Sequence, residues 1–148
     1  MASLLFLTLL GCFASPFEGT WLVQADRESK VDGDCATDDD TQSTGTDNFW
    51  MDIFKTGGGD LVVLYSEALV GTPDGSELTA EWEQTERGDD FQETETIEFR
   101  ASLEGGVMSG SVTGELVSVS GEDTYRCTLE TDFSAERNVS APSAYPEQ

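Results

Sequence analysis

Histidine is absent from this chain, and cations are scarce: 7 Lys and Arg stand against 30 Asp and Glu. Without histidine there is no Ser-His or Cys-His nucleophile system. Carboxylates are so abundant that any glycosidase-type pair would be picked by chance, so the residues point to a protein without catalysis. The shortage of Lys and Arg, with a formal charge of −23, excludes a phosphate-binding surface for nucleic acid. It also opposes adsorption to anionic headgroups. Strong charge of one sign favours a soluble monomer at a cost in self-repulsion. Cysteine is limited to 3 residues. With no CxxC and no histidine, none of the spacings fits zinc. The longest apolar run, residues 4–10, is far short of the about 20 residues that span a bilayer. Gly57-Gly58-Gly59 precedes a strand pattern rather than a helix, so it is not a phosphate loop.

That apolar run is nevertheless informative. It has the length of a signal-peptide core and is followed by small residues. Its end, Leu9-Leu10-Gly11-Cys12, resembles the lipobox of bacterial lipoproteins. The resemblance implies removal of residues 1–11 and a thioether diacylglycerol on Cys12. It further implies a palmitate-type chain on the Cys12 amine. Several acyl chains hold a protein on a membrane effectively permanently. The protein would then belong to the bacterial cell envelope, with the membrane as partner through the anchor. Phe13 stands where Asp would mark inner-membrane retention, which favours the outer membrane. One departure is the n-region, Met1-Ala2-Ser3, which has no Lys or Arg. Two other readings of the run stay open: a secretory signal cut near Ala14, and a buried strand. Leu-rich composition argues against the strand. Ala2 excludes N-myristoylation, and the C-terminus offers no cysteine for prenylation.

If Cys12 is acylated, Cys35 and Cys127 remain as a pair. An oxidising exported compartment would let them form a disulfide. It would close a loop of about 90 residues.

From residue 19 the apolar residues recur with period two. Strands are expected at 19–26, 48–55, 60–69, 77–85, 92–103, 107–119 and 124–133, with 27–47 a long polar segment and 71–75 a loop. Seven or eight short antiparallel strands joined by tight turns describe an all-β, up-and-down meander barrel, which removes exposed edges. A β-sandwich is the alternative. Gly110 and Gly114 suit a strand that bends at a barrel corner. The expected organisation is a signal peptide (1–11), a short tether (12–18), one barrel domain (19–139) and a flexible tail (140–148).

Gly19-Thr20-Trp21 resembles the Gly-x-Trp motif that opens lipocalins and related calycin barrels. The resemblance implies that Trp21 closes one barrel end with Arg137 packed across it. It also implies an interior that takes a small apolar ligand. Thr131-Asp132-Phe133 is similar to a lipocalin Thr-Asp-Tyr motif but lies on the last expected strand, which departs from the family. Trp21 and Trp82 read first as core residues. Trp50 and Phe54 share a face with Asp52, opposite Phe49, Met51 and Ile53, so this strand is apolar on both sides. One face then meets a barrel lumen or a partner. The sequence thus leaves two readings. One is a barrel holding a small apolar ligand. The other is a filled barrel acting as a structural or interaction module through the outer face around Trp50 and Phe54.

No cofactor is implied apart from a candidate Ca2+ site. Asp32, Asp34, Asp38 and Asp40 form an acidic cluster that could supply some of the six to eight oxygens Ca2+ takes. It departs from the EF-hand pattern, because Ser43 and Phe49 stand where Gly and Glu would be required. The other reading is a solvated acidic loop.

Overall fold

The computed structural model describes residues 14–26, 30–36 and 45–137. Nine strands follow in chain order. They are β1 (Gly19–Asp26), β2 (Lys30–Gly33), β3 (Thr46–Lys55), β4 (Leu61–Leu64), β5 (Ala68–Asp74), β6 (Glu77–Arg87), β7 (Phe91–Glu104), β8 (Val107–Ser120) and β9 (Asp123–Arg137). All pairings are antiparallel between neighbours, and β1 also pairs with β9. The sheet therefore closes into an eight-stranded up-and-down barrel, and the sandwich alternative does not hold. Closure satisfies the backbone donors and acceptors that an open edge would leave to solvent or to another chain.

The extra strand, β2, is a continuation of β1. Trp21–Ala25 pair with Arg137–Phe133 of β9, and Lys30–Gly33 pair with Glu130–Cys127 on the same edge. It lies inside the stretch expected to be a polar loop. Lys-Val-Asp-Gly has too little apolar alternation to announce a strand; the exposed backbone of β9 recruits it.

A second correction concerns the stretch expected as one strand at 60–69 and a loop at 71–75. It forms two strands, β4 and β5, joined by residues 65–67. Leu61, Val63 and Leu69 keep one parity across the turn, so the alternation hides the break. Pro73 and Asp74 read as loop residues, yet both pair with β6. Pro73 is tolerated because β4 ends its pairing with β5 at Gly71. Beyond that point β5 is an edge, where a missing N–H costs no ladder bond.

The hairpins follow from glycine. Glu104 faces Val107 across Gly105-Gly106, whose φ values are 61 and 86. Positive φ at both central positions is the primed turn that matches strand twist. The β5–β6 and β8–β9 hairpins each place one glycine of positive φ, Gly75 and Gly121, first in a two-residue loop. Gly110 meets a different demand. A Cβ there would lie 1.8 Å from the Arg100 carbonyl oxygen, so only a bare backbone lets β8 close on β7.

Alternate residues face inward and form one core. Trp21, Phe17, Phe99, Met51, Ile53, Leu61, Leu69, Leu78, Met108, Val23 and Val63 are fully buried. Phe99 and Phe133 stack with centroids 5.1 Å apart. The segment expected as a tether is partly structural: Phe17 is 0% exposed, and Glu18 donates its N–H to the Ser15 carbonyl.

Candidate functional site

The closed end of the barrel is built around Trp21. Its indole N–H donates to the Phe17 carbonyl at 2.8 Å, which turns the N-terminal segment under the barrel. The Arg137 guanidinium lies 4.9 Å from the Trp21 ring centroid and donates to the Pro16 carbonyl. Three parts of the chain are thereby pinned at one place: residues 15–18, the start of β1 and the end of β9. Gly19, with φ of 137, lets the chain turn into β1 beneath Arg137.

The interior is filled. The void between Val23, Met51, Phe99, Val112 and Phe133 leaves no volume that a water molecule can enter. Small barrels reach this state when their inward side chains are large enough to meet. At the opposite end Phe49 and Tyr65 make an edge-to-face pair at 5.3 Å. Trp82 is half-buried and packs on the core from the rim. Burial raises the Tyr65 pKa above its ordinary value, because the phenolate loses solvation.

Exposed apolar residues occur on β7, β8 and β9 as Phe91, Val107, Val119, Tyr125 and Leu129, and a second group lies on the outside of β1, β3, β4 and β5. Trp50, Phe54 and Val70 are 51%, 44% and 58% exposed. Register makes them neighbours: Leu22 faces Trp50, and Phe54, Val62 and Val70 form one row across three strands. Asp52 is the carboxylate within this face, and it accepts a hydrogen bond from the Thr20 hydroxyl at 2.5 Å. Beside it runs an open groove of about 750 Å³ lined by Gly19, Thr20, Asp52, Phe54 and Leu64.

Cys35 and Cys127 form a disulfide, with Cα atoms 5.3 Å apart. Asp34 reinforces it: its N–H donates to the Arg126 carbonyl at 2.7 Å, and its carboxylate accepts the Arg126 N–H at 2.7 Å. The carboxylate of Asp34 thus serves the β2–β9 junction, and Asp32 lies on β2 itself. Asp38 and Asp40 lie outside the described residues, as does Cys12. Among the described residues no three Asp, Glu or Cys side chains converge as a cation cage, and no polar or charged side chain is buried. Lys30 bridges Glu130 and Asp132 at 2.8 and 3.3 Å, and hydrogen bonds to both carboxylates raise its pKa.

The structure therefore brings Trp21 and Arg137 together at one end and sends Trp50 and Phe54 to the outer face. Trp82 stands at the far rim, away from both groups. Phe17 and Val70 carry no sequence signal of their roles. Phe17 precedes the periodic pattern, and Val70 is one of two apolar neighbours whose facing only register decides. Comparison of the chain with protein-family models, with curated proteins and with solved structures found no match.

Proposed function

We propose that this protein is a non-catalytic lipoprotein of the bacterial cell envelope. Acylated Cys12 holds it on a membrane, with the outer membrane favoured. Its filled barrel acts through its outer surface as a structural or interaction module, rather than by enclosing a small apolar ligand. The observation that carries this reading is the pairing of an interior with no room for a water molecule between Val23, Met51, Phe99 and Phe133 with exposed Trp50, Phe54 and Val70. An interior ligand would have to displace Phe99 and Phe133 from a stacked, buried arrangement. An outer ligand displaces only water from apolar side chains, which is the favourable direction. The Cys35–Cys127 disulfide agrees with an exported protein.

Two measurements test it. Intact mass of the membrane-extracted protein should give a chain that begins at Cys12, heavier by its acyl groups. A chain that begins at Ala14, or one that keeps Met1, would remove the anchor. Titration of the folded protein with a fluorescent long-chain fatty acid should give no saturable one-to-one binding. Stoichiometric binding that survives Trp50→Ser and Phe54→Ser would restore the enclosed-ligand reading.

A further inference from the structure

The apolar outer face has a definite position relative to the anchor. Residues 15–18 are packed under the barrel through Phe17, the Ser15–Glu18 turn and the Arg137 contact to Pro16. Only Phe13 and Ala14 separate Cys12 from that packed segment. Fully extended, they reach about 10 Å. A Cys12 embedded in a bilayer therefore keeps this end of the barrel at the lipid surface. The groove lined by Glu18, Gly19, Thr20, Asp52, Phe54 and Leu64 opens at that same end.

Charge selects the same face. In a chain of 30 Asp and Glu, the surface formed by Leu22, Trp50, Phe54, Val62, Leu64 and Val70 encloses one carboxylate, Asp52, hydrogen-bonded to Thr20, with Glu18, which accepts the Ser15 N–H, at its groove end. Asp26 and Asp74 stand only at strand ends. The outer faces of β6 and β7, by contrast, carry Glu77, Glu81, Glu83, Glu98 and Glu104. The outer wall over β1, β3, β4 and β5 is thus poor in charge and that over β6 and β7 is acidic, while exposed Phe91, Val107, Val119, Tyr125 and Leu129 lie apart on β7, β8 and β9. Exposed Trp and Phe suit the water–lipid boundary, where their rings sit at headgroup level. A second copy of the chain is a poor occupant, since two bodies of charge −23 repel each other.

We infer that the outer face of β1, β3, β4 and β5 rests on the lipid surface that holds the anchor, with Trp50 and Phe54 at the interface and the acidic outer faces of β6 and β7 turned to solvent. This inference rests on the lipid anchor proposed above and adds an orientation to it. The test uses acylated protein purified from membranes and reconstituted into vesicles of phosphatidylcholine and phosphatidylethanolamine with brominated chains. Acylation is read first by mass. Tryptophan emission of the wild type should be quenched. Much of that quenching should be lost in Trp50→Phe and kept in Trp82→Phe, because Trp82 lies at the far rim. Acylated protein in which Trp50→Phe leaves the quenching unchanged would overturn the docked orientation and leave the anchor standing. Quenching that falls as the protein-to-lipid ratio rises, with cross-linked dimers, would assign the face to a second copy instead. An unmodified Cys12 would be seen in the mass alone and would remove both the anchor and the inference built on it.

Discussion

Trp21 joins three separate parts of the chain through one side chain. It fills the barrel end, donates to the Phe17 carbonyl and lies under Arg137. Trp21→Ala should cost about 3–5 kcal/mol, as for other large core aromatics. Arg137→Ala should cost about 0.5–2 kcal/mol, the range of a cation–π contact. Because the two side chains touch, the double variant should lose less than the two single losses combined. Urea unfolding of the four proteins checks this, and simple additivity would deny the contact its energetic role. Tyr65 sets a pH dependence. Burial raises its folded pKa above the ordinary 10.0, and ion pairing raises that of Lys30 above 10.5. For both, the folded state binds more protons than the unfolded state in alkali. Their stability contributions are therefore complete below the unfolded pKa values and are lost as pH rises through the folded ones. Thermal unfolding between pH 8 and pH 12, on a scale set by the ordinary tyrosine value of about 10, should show a falling midpoint, with a shallower fall in Tyr65→Phe. An equal slope in that variant would remove Tyr65 as a cause.

At the level of elements, the disulfide holds a strand that could not hold itself. β2 has four residues, and one of them, Val31, is apolar. Its place on β9 is secured by the Cys35–Cys127 bond, by the Asp34 N–H donating to the Arg126 carbonyl and by the Asp34 carboxylate accepting the Arg126 N–H. The bond spans a sequence separation of 92, so the chain-entropy model allows about 4–5 kcal/mol of stabilisation at most. Replacing both cysteines with serine should lower the urea midpoint by a corresponding amount. Amide exchange should rise in β2 before it rises in β1. Unchanged exchange at Lys30–Gly33 would mean that the backbone pairing suffices alone. Most of the strands were legible from period-two alternation, because β6 to β9 each bury one face on the core. The β4–β5 break was not, since the turn preserves parity and Pro73-Asp74 resemble a loop until the open edge of β5 is known. β2 was hidden for the opposite reason: its pairing depends on a partner about 100 residues away.

Over the whole molecule, like charges oppose the fold. Glu81 faces Glu98 and Glu86 faces Glu93 across the β6–β7 ladder, and like charges directly opposite each other destabilise a sheet. The total of −23 adds a general self-repulsion. Raising NaCl from about 0.01 M to 1 M shortens the screening length from about 30 Å to 3 Å and should raise the thermal midpoint. A midpoint that stays level or falls would mean that these carboxylates are already neutralised by bound cations.

Alternation, turn residues and charge are local properties, and they sufficed for an all-β meander with a cysteine pair, a Gly-x-Trp opening and a strongly acidic body. Whether Trp50 and Phe54 look into a lumen or out to solvent is not local. Both faces of β3 are apolar, so either register of inside and outside was consistent with its sequence. The choice falls to the other seven barrel strands. Their inward side chains pack with Met51 and Ile53 into one core, leave no space that a water molecule can enter between Val23, Met51, Phe99 and Phe133, and put Trp50, Phe54 and Val70 together on the outer wall. Volume inside a closed sheet is a sum over all strands, and only the assembled barrel decides what it has room for.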